Sequence, residues 1–167
     1  MLNASVLDQY PGVDTDAVQA LLEEKCRQDR HKIIVLDDDP TGVQTVHDVS
    51  VYTDWSYDSI KKGFEEDGKL FYILTNSRGF TVEQTTRAHL EIGETAAKVS
   101  EETGIDYVIV SRGDSTLRGH YPLETELLAR AEEKHRGRAV DGEIICPYFK
   151  EGGRFTIGNV HYVKYGN

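Results

Sequence analysis

Runs of apolar residues alternate along the chain with stretches of helical spacing, and this alternation predicts parallel strands joined by helices. Ile33–Leu36 contains four apolar residues, three of them β-branched, which is typical of a strand buried on both faces. Leu70–Leu74 and Tyr107–Val110 have the same character. Glu143–Cys146 is predicted to be the fourth strand of this kind.

Helical spacing of apolar residues, together with capping residues, predicts four helices. Asp14 can cap the first helix, which runs to about Asp29, and Ser56 can cap the second. Thr81 and Gln84 form a capping box for the third, and Pro122 suits the first turn of the fourth. The apolar stripes are Val18, Leu21, Leu22 and Cys26; Tyr57, Ile60 and Phe64; and Leu123, Leu127, Leu128 and Ala131.

Two further regions have the pattern of strands. Val49–Thr53 alternates as a strand should, but only Gly42–Asp48 is available to lead back to it. A parallel connection usually needs about a dozen residues, so either a very short helix lies there or this strand runs antiparallel. Arg154–Ile157 and Val160–Val163 flank Gly158-Asn159, which predicts a two-residue hairpin turn.

The whole pattern predicts an α/β fold, with a mostly parallel, Rossmann-like sheet, helices on both faces and a C-terminal β-hairpin. We interpret residues 1–31 as an N-terminal extension and helix, and residues 32–167 as a partial α/β substrate-binding domain. Because the chain stops soon after a hairpin, without a closing helix, we expect that it was cut from a larger protein.

Charge and composition narrow the class of partner. The 29 acidic and 19 basic residues give a net charge of −10, which disfavours nucleic acid and gives no sign of membrane-surface binding. No apolar run approaches the roughly 20 residues of a membrane helix, and residues 1–19 lack the features of a signal peptide. Cys26 and Cys146 are expected to be buried free thiols, and the expected location is the cytoplasm.

Each predicted buried strand is followed by a polar cluster: residues 37–42, 75–79, 111–120 and 147–154. If the strands are parallel, these loops meet along one edge of the sheet, where ligands bind in open α/β folds. The first cluster contains three consecutive carboxylates, Asp37 to Asp39. They repel one another unless a cation, donor groups or a substrate compensates them, so the cluster predicts a functional site.

The clusters supply planar guanidinium groups, carboxylates and hydroxyls. These are Arg78, Arg112 and Arg118; Asp38, Asp39 and Asp114; and Ser77, Ser115 and Thr116. Arginines suit a carboxylate or phosphate, and the aspartates can accept hydrogen bonds from hydroxyls, hold a cation or take a proton. Together they predict a site for a small polyhydroxy acid. His47 and His161 have no metal-ligand spacing, and no metal ligands are predicted on this chain.

The acidic loop allows two interpretations. The Asp-x-Asp-x-Thr spacing of Asp37, Asp39 and Thr41, with Thr75-Asn76 after the next strand, resembles the first two motifs of haloacid dehalogenase-like phosphatases. That resemblance implies Asp37 as the nucleophile, Asp39 as the acid/base and Mg²⁺ as the cofactor. Pro40 stands where glycine is usual in those motifs, and a complete magnesium site cannot be named.

A fuller resemblance covers the chain from about Lys32 to its end. The motifs are, in order, Asp38-Asp39-Pro40-Thr41-Gly42-Val43, Thr75-Asn76-Ser77-Arg78, Asp114-Ser115-Thr116-Leu117-Arg118-Gly119-His120, Cys146-Pro147 and Gly152-Gly153-Arg154-Phe155-Thr156. They resemble the N-terminal domain of the four-carbon acid sugar kinase family. The family's usual Asp-Asp-Leu-Thr-Gly-Ala is altered at Pro40 and Val43, which indicates a divergent branch.

The resemblance implies ATP-dependent phosphorylation of a four-carbon sugar acid such as threonate, erythronate or 3-oxo-tetronate. The N-terminal domain would hold the sugar acid, and a C-terminal domain outside these residues would hold ATP and Mg²⁺. Asp38 or Asp39 would be the catalytic base. The implied substrate-binding residues are Thr41, Gly42, Ser77, Arg78, Arg112, Asp114, Ser115, Thr116 and Arg118.

Several expectations concern the chain by itself. We expect these 167 residues to bind a sugar acid, if anything, and to show no ATPase activity. A non-catalytic sugar-acid-binding module remains a third interpretation beside the kinase and the phosphatase. The number of subunits, including a homo-oligomer, stays open.

Overall fold

A parallel sheet forms the centre of the computed structural model, which describes residues 2–44 and 46–166. Its strands are β1 (Lys32–Asp37), β2 (Val51–Tyr52), β3 (Leu70–Leu74) and β4 (Tyr107–Arg112), in the spatial order β2-β3-β1-β4. β5 (Arg154–Ile157) and β6 (Val160–Val163) form a separate antiparallel hairpin. The predicted α/β class, with its parallel sheet and C-terminal hairpin, is confirmed.

Four α-helices in the described part of the chain follow the predicted order: α1 (Thr15–Gln28), α2 (Tyr57–Glu65), α3 (Val82–Thr103) and α4 (Leu123–Arg136). The Asp14 carboxylate and the Ser56 hydroxyl cap α1 and α2, and Thr81 with Gln84 completes the capping box of α3. None of the helices in the described part of the chain is long and apolar enough to cross a membrane.

The hydrophobic core lies between the sheet and α2, α3 and α4. Its buried members are Ile34, Leu36, Phe71, Ile73 and Tyr107 from the strands and Ile60, Phe64, Ile92, Ala96, Val99 and Leu128 from the helices. The connections from β2 to β3 and from β3 to β4 advance in the same direction across the sheet. Right-handed crossovers therefore place α2 and α3 on the same face.

The opposite face of the sheet is only partly buried. Val35 and Tyr72 are register partners and are buried there, but Val110, the partner of Val35 on β4, is exposed, and so is Val108. We expected helices on both faces of the sheet. Within residues 2–44 and 46–166, the helices that pack on the core meet this expectation on one face only.

The N-terminal helix forms as predicted, but its apolar stripe is not buried. No residue of α1 is buried, and Val18, Leu21 and Leu22 are each about half exposed. Cys26 and Cys146 are both exposed, so the prediction of buried thiols is wrong. Helical spacing shows that residues share a face, but burial requires a neighbouring element to cover that face.

Two strand predictions also need correction. Glu143–Cys146 has no regular structure, and Ile144 is 95% exposed, because no described strand pairs with this segment to satisfy its backbone. β2 is shorter than predicted and pairs in parallel with β3, so the antiparallel alternative is wrong. None of the described residues of this connection, 42–44 and 46–48, is helical, and overlapping tight turns at 39–42 and 41–44 follow β1 instead.

Candidate functional site

The carboxyl ends of β1, β3 and β4 lie side by side and bring three of the predicted polar loops together. Asp37 pairs in register with Leu74 of β3 and with Arg112 of β4. The fourth loop reaches the site from the hairpin, not from the sheet, since Arg154 Nη1 donates to Ser115 Oγ at 2.7 Å. Arg154 belongs to the Gly152–Thr156 motif, but it was not among the predicted site residues.

Arg78 binds two adjacent carboxylates of the acidic loop. Its Nε and Nη2 donate to the two oxygens of Asp38 at 3.0 and 2.7 Å, and its Nη1 donates to Asp39 at 2.5 Å. The hydrogen bonds to Asp38 raise the pKa of Arg78. A bidentate pair of this kind is strong and directional, and here it ties the loop after β3 to the loop after β1.

Arg118 holds Asp114 in the same bidentate manner, with Nε and Nη2 at 3.0 and 2.8 Å from the two carboxylate oxygens. The backbone N–H and the hydroxyl of Thr116 donate to the same carboxylate. The Arg118 guanidinium, followed by these Thr116 donors, holds the pKa of Asp114 well below its usual range. Asp114 is therefore an ionised acceptor at neutral pH.

Arg112 faces all three consecutive aspartates. Its Nη1 lies 3.2 Å from Asp37 Oδ1, 3.7 Å from Asp38 Oδ1 and 3.9 Å from Asp39 Oδ1. Hydrogen bonds from Thr41 are the largest cause of a lowered pKa at Asp39, with the two arginines adding to it. The predicted repulsion within the triplet is thus compensated by guanidinium groups and hydroxyl donors.

Asp37 differs from its two neighbours because it is only 1% exposed. Burial raises its pKa, and Arg112 opposes this shift. Gly42 lies directly against the Asp37 carboxylate, so that a Cβ at this position would overlap it. The phosphatase interpretation needs Asp37 as an exposed nucleophile, and this burial removes its support.

Backbone conformations at two strand ends are also unusual. Asn76 has a φ of 54° and Leu117 a φ of 59°, both in the left-handed region that non-glycine residues rarely adopt. Gly119, with a φ of 115°, brings the backbone close to the Asp38 carboxylate, and a Cβ there would lie 3.4 Å from Asp38 Oδ2. Strained residues of this kind cluster at functional sites, where the surrounding structure holds them.

Ser77 lies behind the site. Its side chain is 1% exposed, and its hydroxyl donates to Glu124 Oε1 at 2.8 Å. Glu124 in turn lies 3.6 Å from Nε2 of the buried His89, whose pKa is lowered by burial. The hydroxyl therefore faces the interior in this conformation, while the role of Ser77 in binding substrate stays a prediction. The Glu124–His89 contact was not predicted, because helical spacing alone does not show which polar residues of two helices meet.

The described side chains do not form a site for Mg²⁺. No group of three or more His, Cys, Asp or Glu side chains within residues 2–44 and 46–166 could hold a metal ion. Asp37 Oδ2 has no hydrogen-bond partner among these residues, but Gly42 covers the carboxylate. The other carboxylates are engaged by arginines, which disfavours the multiple oxygen ligands that Mg²⁺ requires.

Comparison with known proteins gives one match. The family described as a sugar-binding N-terminal domain matches residues 33–167, which is most of the chain. No curated protein and no solved structure matched. The matched residues include every side chain of the site described above.

Proposed function

We propose a function from the premise that the chain belongs to the sugar-binding N-terminal domain family, which is the N-terminal domain of four-carbon acid sugar kinases. The site at the carboxyl ends of β1, β3 and β4 binds a four-carbon sugar acid of the threonate, erythronate or 3-oxo-tetronate type. Together with a nucleotide-binding domain, it supports ATP-dependent phosphorylation of a hydroxyl of that acid. One observation carries this proposal: the Asp38–Arg78 and Asp114–Arg118 pairs and Arg112 meet at one edge of the sheet.

The donor and acceptor chemistry fits such a substrate. Ionised carboxylates accept hydrogen bonds from sugar hydroxyls, and Asp114 is held in this form by Arg118. Guanidinium groups provide the planar donors that a substrate carboxylate prefers. Acceptors for hydroxyls beside donors for an acid group favour a sugar acid over a neutral sugar.

Asp39 is the better candidate for the catalytic base. Its side chain is 21% exposed, whereas that of Asp38 is 4% exposed and held at both oxygens by Arg78. In the proposed reaction, Asp39 accepts the proton of the attacking sugar hydroxyl. The oxygen of that hydroxyl bonds to the γ-phosphorus of ATP. The bond from that phosphorus to the bridging oxygen breaks, and ADP leaves. The lowered pKa of Asp39 keeps its carboxylate unprotonated before the reaction, which is the state that a base requires, while also making it a weaker base.

The nucleotide and Mg²⁺ are assigned to another part of the protein. The described residues do not fit a magnesium site, and no nucleotide-binding motif was found in the sequence. ATP would supply the phosphoryl group from a second domain of the kind that the kinase family implies. The role of this chain is to bind the acid, orient its hydroxyl and take the proton.

Calorimetry with threonate and erythronate, together with ADP formation by the complete gene product, tests this proposal. We expect saturable binding of at least one acid by this chain, without ATPase activity, and turnover only in the presence of the nucleotide-binding part. Asp39→Asn should lower kcat by about 100-fold or more, as expected for a lost general base. Asp141→Asn, at an exposed residue of the irregular segment, is the control.

The outcomes separate the three interpretations. Binding of a sugar acid without ADP formation by the complete protein would identify a non-catalytic module. Release of phosphate from a sugar-acid phosphate without nucleotide would favour the phosphatase. If none of the four-carbon acids binds, the proposed function is wrong.

A further inference from the structure

The three arginines predicted for the site differ in how many of their nitrogens already donate hydrogen bonds. Arg78 donates from Nε, Nη1 and Nη2 to carboxylates, and Arg118 donates from Nε and Nη2. Arg112 donates only from Nη1, to Asp37. Its Nε and Nη2 make no hydrogen bond to the residues that the structure describes, and its side chain is 34% exposed. Among Arg78, Arg112 and Arg118, Arg112 therefore has the most nitrogens left to receive an anionic group. Arg154, which also donates from a single nitrogen, reaches the site from the hairpin.

Asp37 occupies a position that fixes this arginine. The two residues are register partners on β1 and β4, so the sheet itself sets the distance between them. Asp37 Oδ1 accepts from Arg112 Nη1 at 3.2 Å, which is shorter than the distances from the same nitrogen to Asp38 and Asp39. Those two carboxylates are already bound by Arg78.

The burial of the Asp37 carboxylate lowers the stability of the fold. The buried Asp37 carboxylate, one oxygen of which has no partner among the described residues, lowers stability, since it loses hydration without regaining all of its hydrogen bonds. Gly42 keeps the space that this carboxylate fills, and only a residue without a Cβ can approach it so closely. A purely structural position on a buried strand would be more stable with an apolar side chain.

We propose that Asp37 is a positioning residue, which holds Nη1 of Arg112 so that Nε and Nη2 are presented to the carboxylate of the bound sugar acid. This inference rests on the proposed function, because it assigns one group of that substrate to one side chain. Asp37 does not touch the substrate in this scheme. It acts through Arg112, and Gly42 acts by leaving room for Asp37.

A double-mutant cycle tests the inference. The variants are Asp37→Asn, Arg112→Gln and the double variant, each titrated calorimetrically with threonate, with Asp141→Asn as the control. Asp37→Asn should weaken binding about tenfold, equivalent to 1.4 kcal/mol. In the Arg112→Gln background the same change should alter Kd by less than about twofold, because the residue through which it acts is gone.

A second measurement is independent of any sugar. The ¹⁵N–¹H heteronuclear NOE of Arg112 Nε reports how rigidly the guanidinium is held. We expect a high value in the unliganded wild-type chain and a lower one in both Asp37→Asn and Asp37→Ala. Cooperative urea unfolding of each variant establishes that the fold is retained, and a variant that fails this check is replaced by the other.

The two proposals fail in different ways. If no four-carbon acid binds the wild-type chain, the proposed function is wrong, and the NOE alone then decides whether Asp37 holds Arg112. An unchanged NOE in Asp37→Asn and Asp37→Ala overturns the positioning role whether or not a sugar acid binds. Equal weakening of threonate binding by Asp37→Asn in the wild-type and Arg112→Gln backgrounds also overturns it.

Discussion

Two aspartate–arginine pairs of the site share a bidentate geometry but differ in their surroundings. The inner pair, Asp38–Arg78, joins residues 40 positions apart, and its arginine side chain is 23% exposed. The outer pair, Asp114–Arg118, joins residues four positions apart, and its arginine is 66% exposed. Burial makes an unpaired charge expensive, whereas solvent screens an exposed one. The inner pair therefore fixes the loops of the site, and the outer pair can exchange its partner for a ligand.

Removing the arginine of the inner pair should have the largest effect. Arg78→Met leaves Asp38 buried without its partner, and we expect the free energy of unfolding to fall by about 3–5 kcal/mol. Arg118→Met should change stability much less, because the buried Asp114 carboxylate that it leaves keeps the backbone and hydroxyl donors of Thr116. Urea denaturation measures both. Equal losses in the two variants would contradict the distinction between inner and outer pairs.

The hydroxyls of Ser77, near the inner pair, and Thr116, near the outer pair, are also expected to differ in how much they stabilise the fold. Ser77→Ala removes the buried donor to Glu124, and an unsatisfied buried group costs about 1–3 kcal/mol of unfolding free energy. Thr116→Ala removes a donor to Asp114, which retains two donors from Arg118. We expect a smaller loss in thermal or urea unfolding for Thr116→Ala. A Ser77→Ala variant as stable as the wild type would show that the inner hydroxyl is not needed to satisfy Glu124.

Ligand affinity should respond more strongly than stability at the outer pair. Arg118→Gln is expected to weaken threonate binding about tenfold, the equivalent of 1.4 kcal/mol, while urea unfolding stays close to that of the wild type. Arg130→Gln, at an exposed arginine of α4, is the matched control. Unchanged affinity in Arg118→Gln would remove the outer pair from the proposed binding site.

The smallest effect is expected in the pH dependence of stability. The pKa of Asp114 is lower in the folded chain than in the unfolded one, so its contribution is fully present above the unfolded value of about 3.9. It is lost as the pH falls through the lower folded value. The difference in unfolding free energy between wild type and Asp114→Asn should therefore narrow below about pH 4. A difference that grows with acidity would reverse the assigned direction of the pKa shift.

Much of the local structure followed from the sequence. The caps at Asp14, Ser56 and Thr81 mark their helices as predicted. The turn at Gly158-Asn159 forms with positive φ at both positions, as a tight hairpin requires. These features depend on residues within a few positions of one another, so a local pattern is sufficient to predict them.

The site could be predicted in part. That Asp38, Arg78 and Asp114 come together followed from the parallel strands, because polar residues at their carboxyl ends share one edge. Which arginine binds which carboxylate, and through how many nitrogens, could not be predicted. Among the described residues, Arg78 donates from all three of its side-chain nitrogens and Arg112 from only one. This difference depends on register and loop conformation over long separations.

The sequence by itself determined the four predicted helices, the caps of three of them, the strands β1, β3 and β4, the hairpin, and which residue types meet at the sheet edge. Only the tertiary structure decided that Ser77 points inward, that Asp37 is sealed beneath Gly42 and that Glu143–Cys146 remains without a strand partner. The physical reason is that periodicity and capping act over a few residues. Burial and the pairing of charges depend on which distant segment comes to lie alongside.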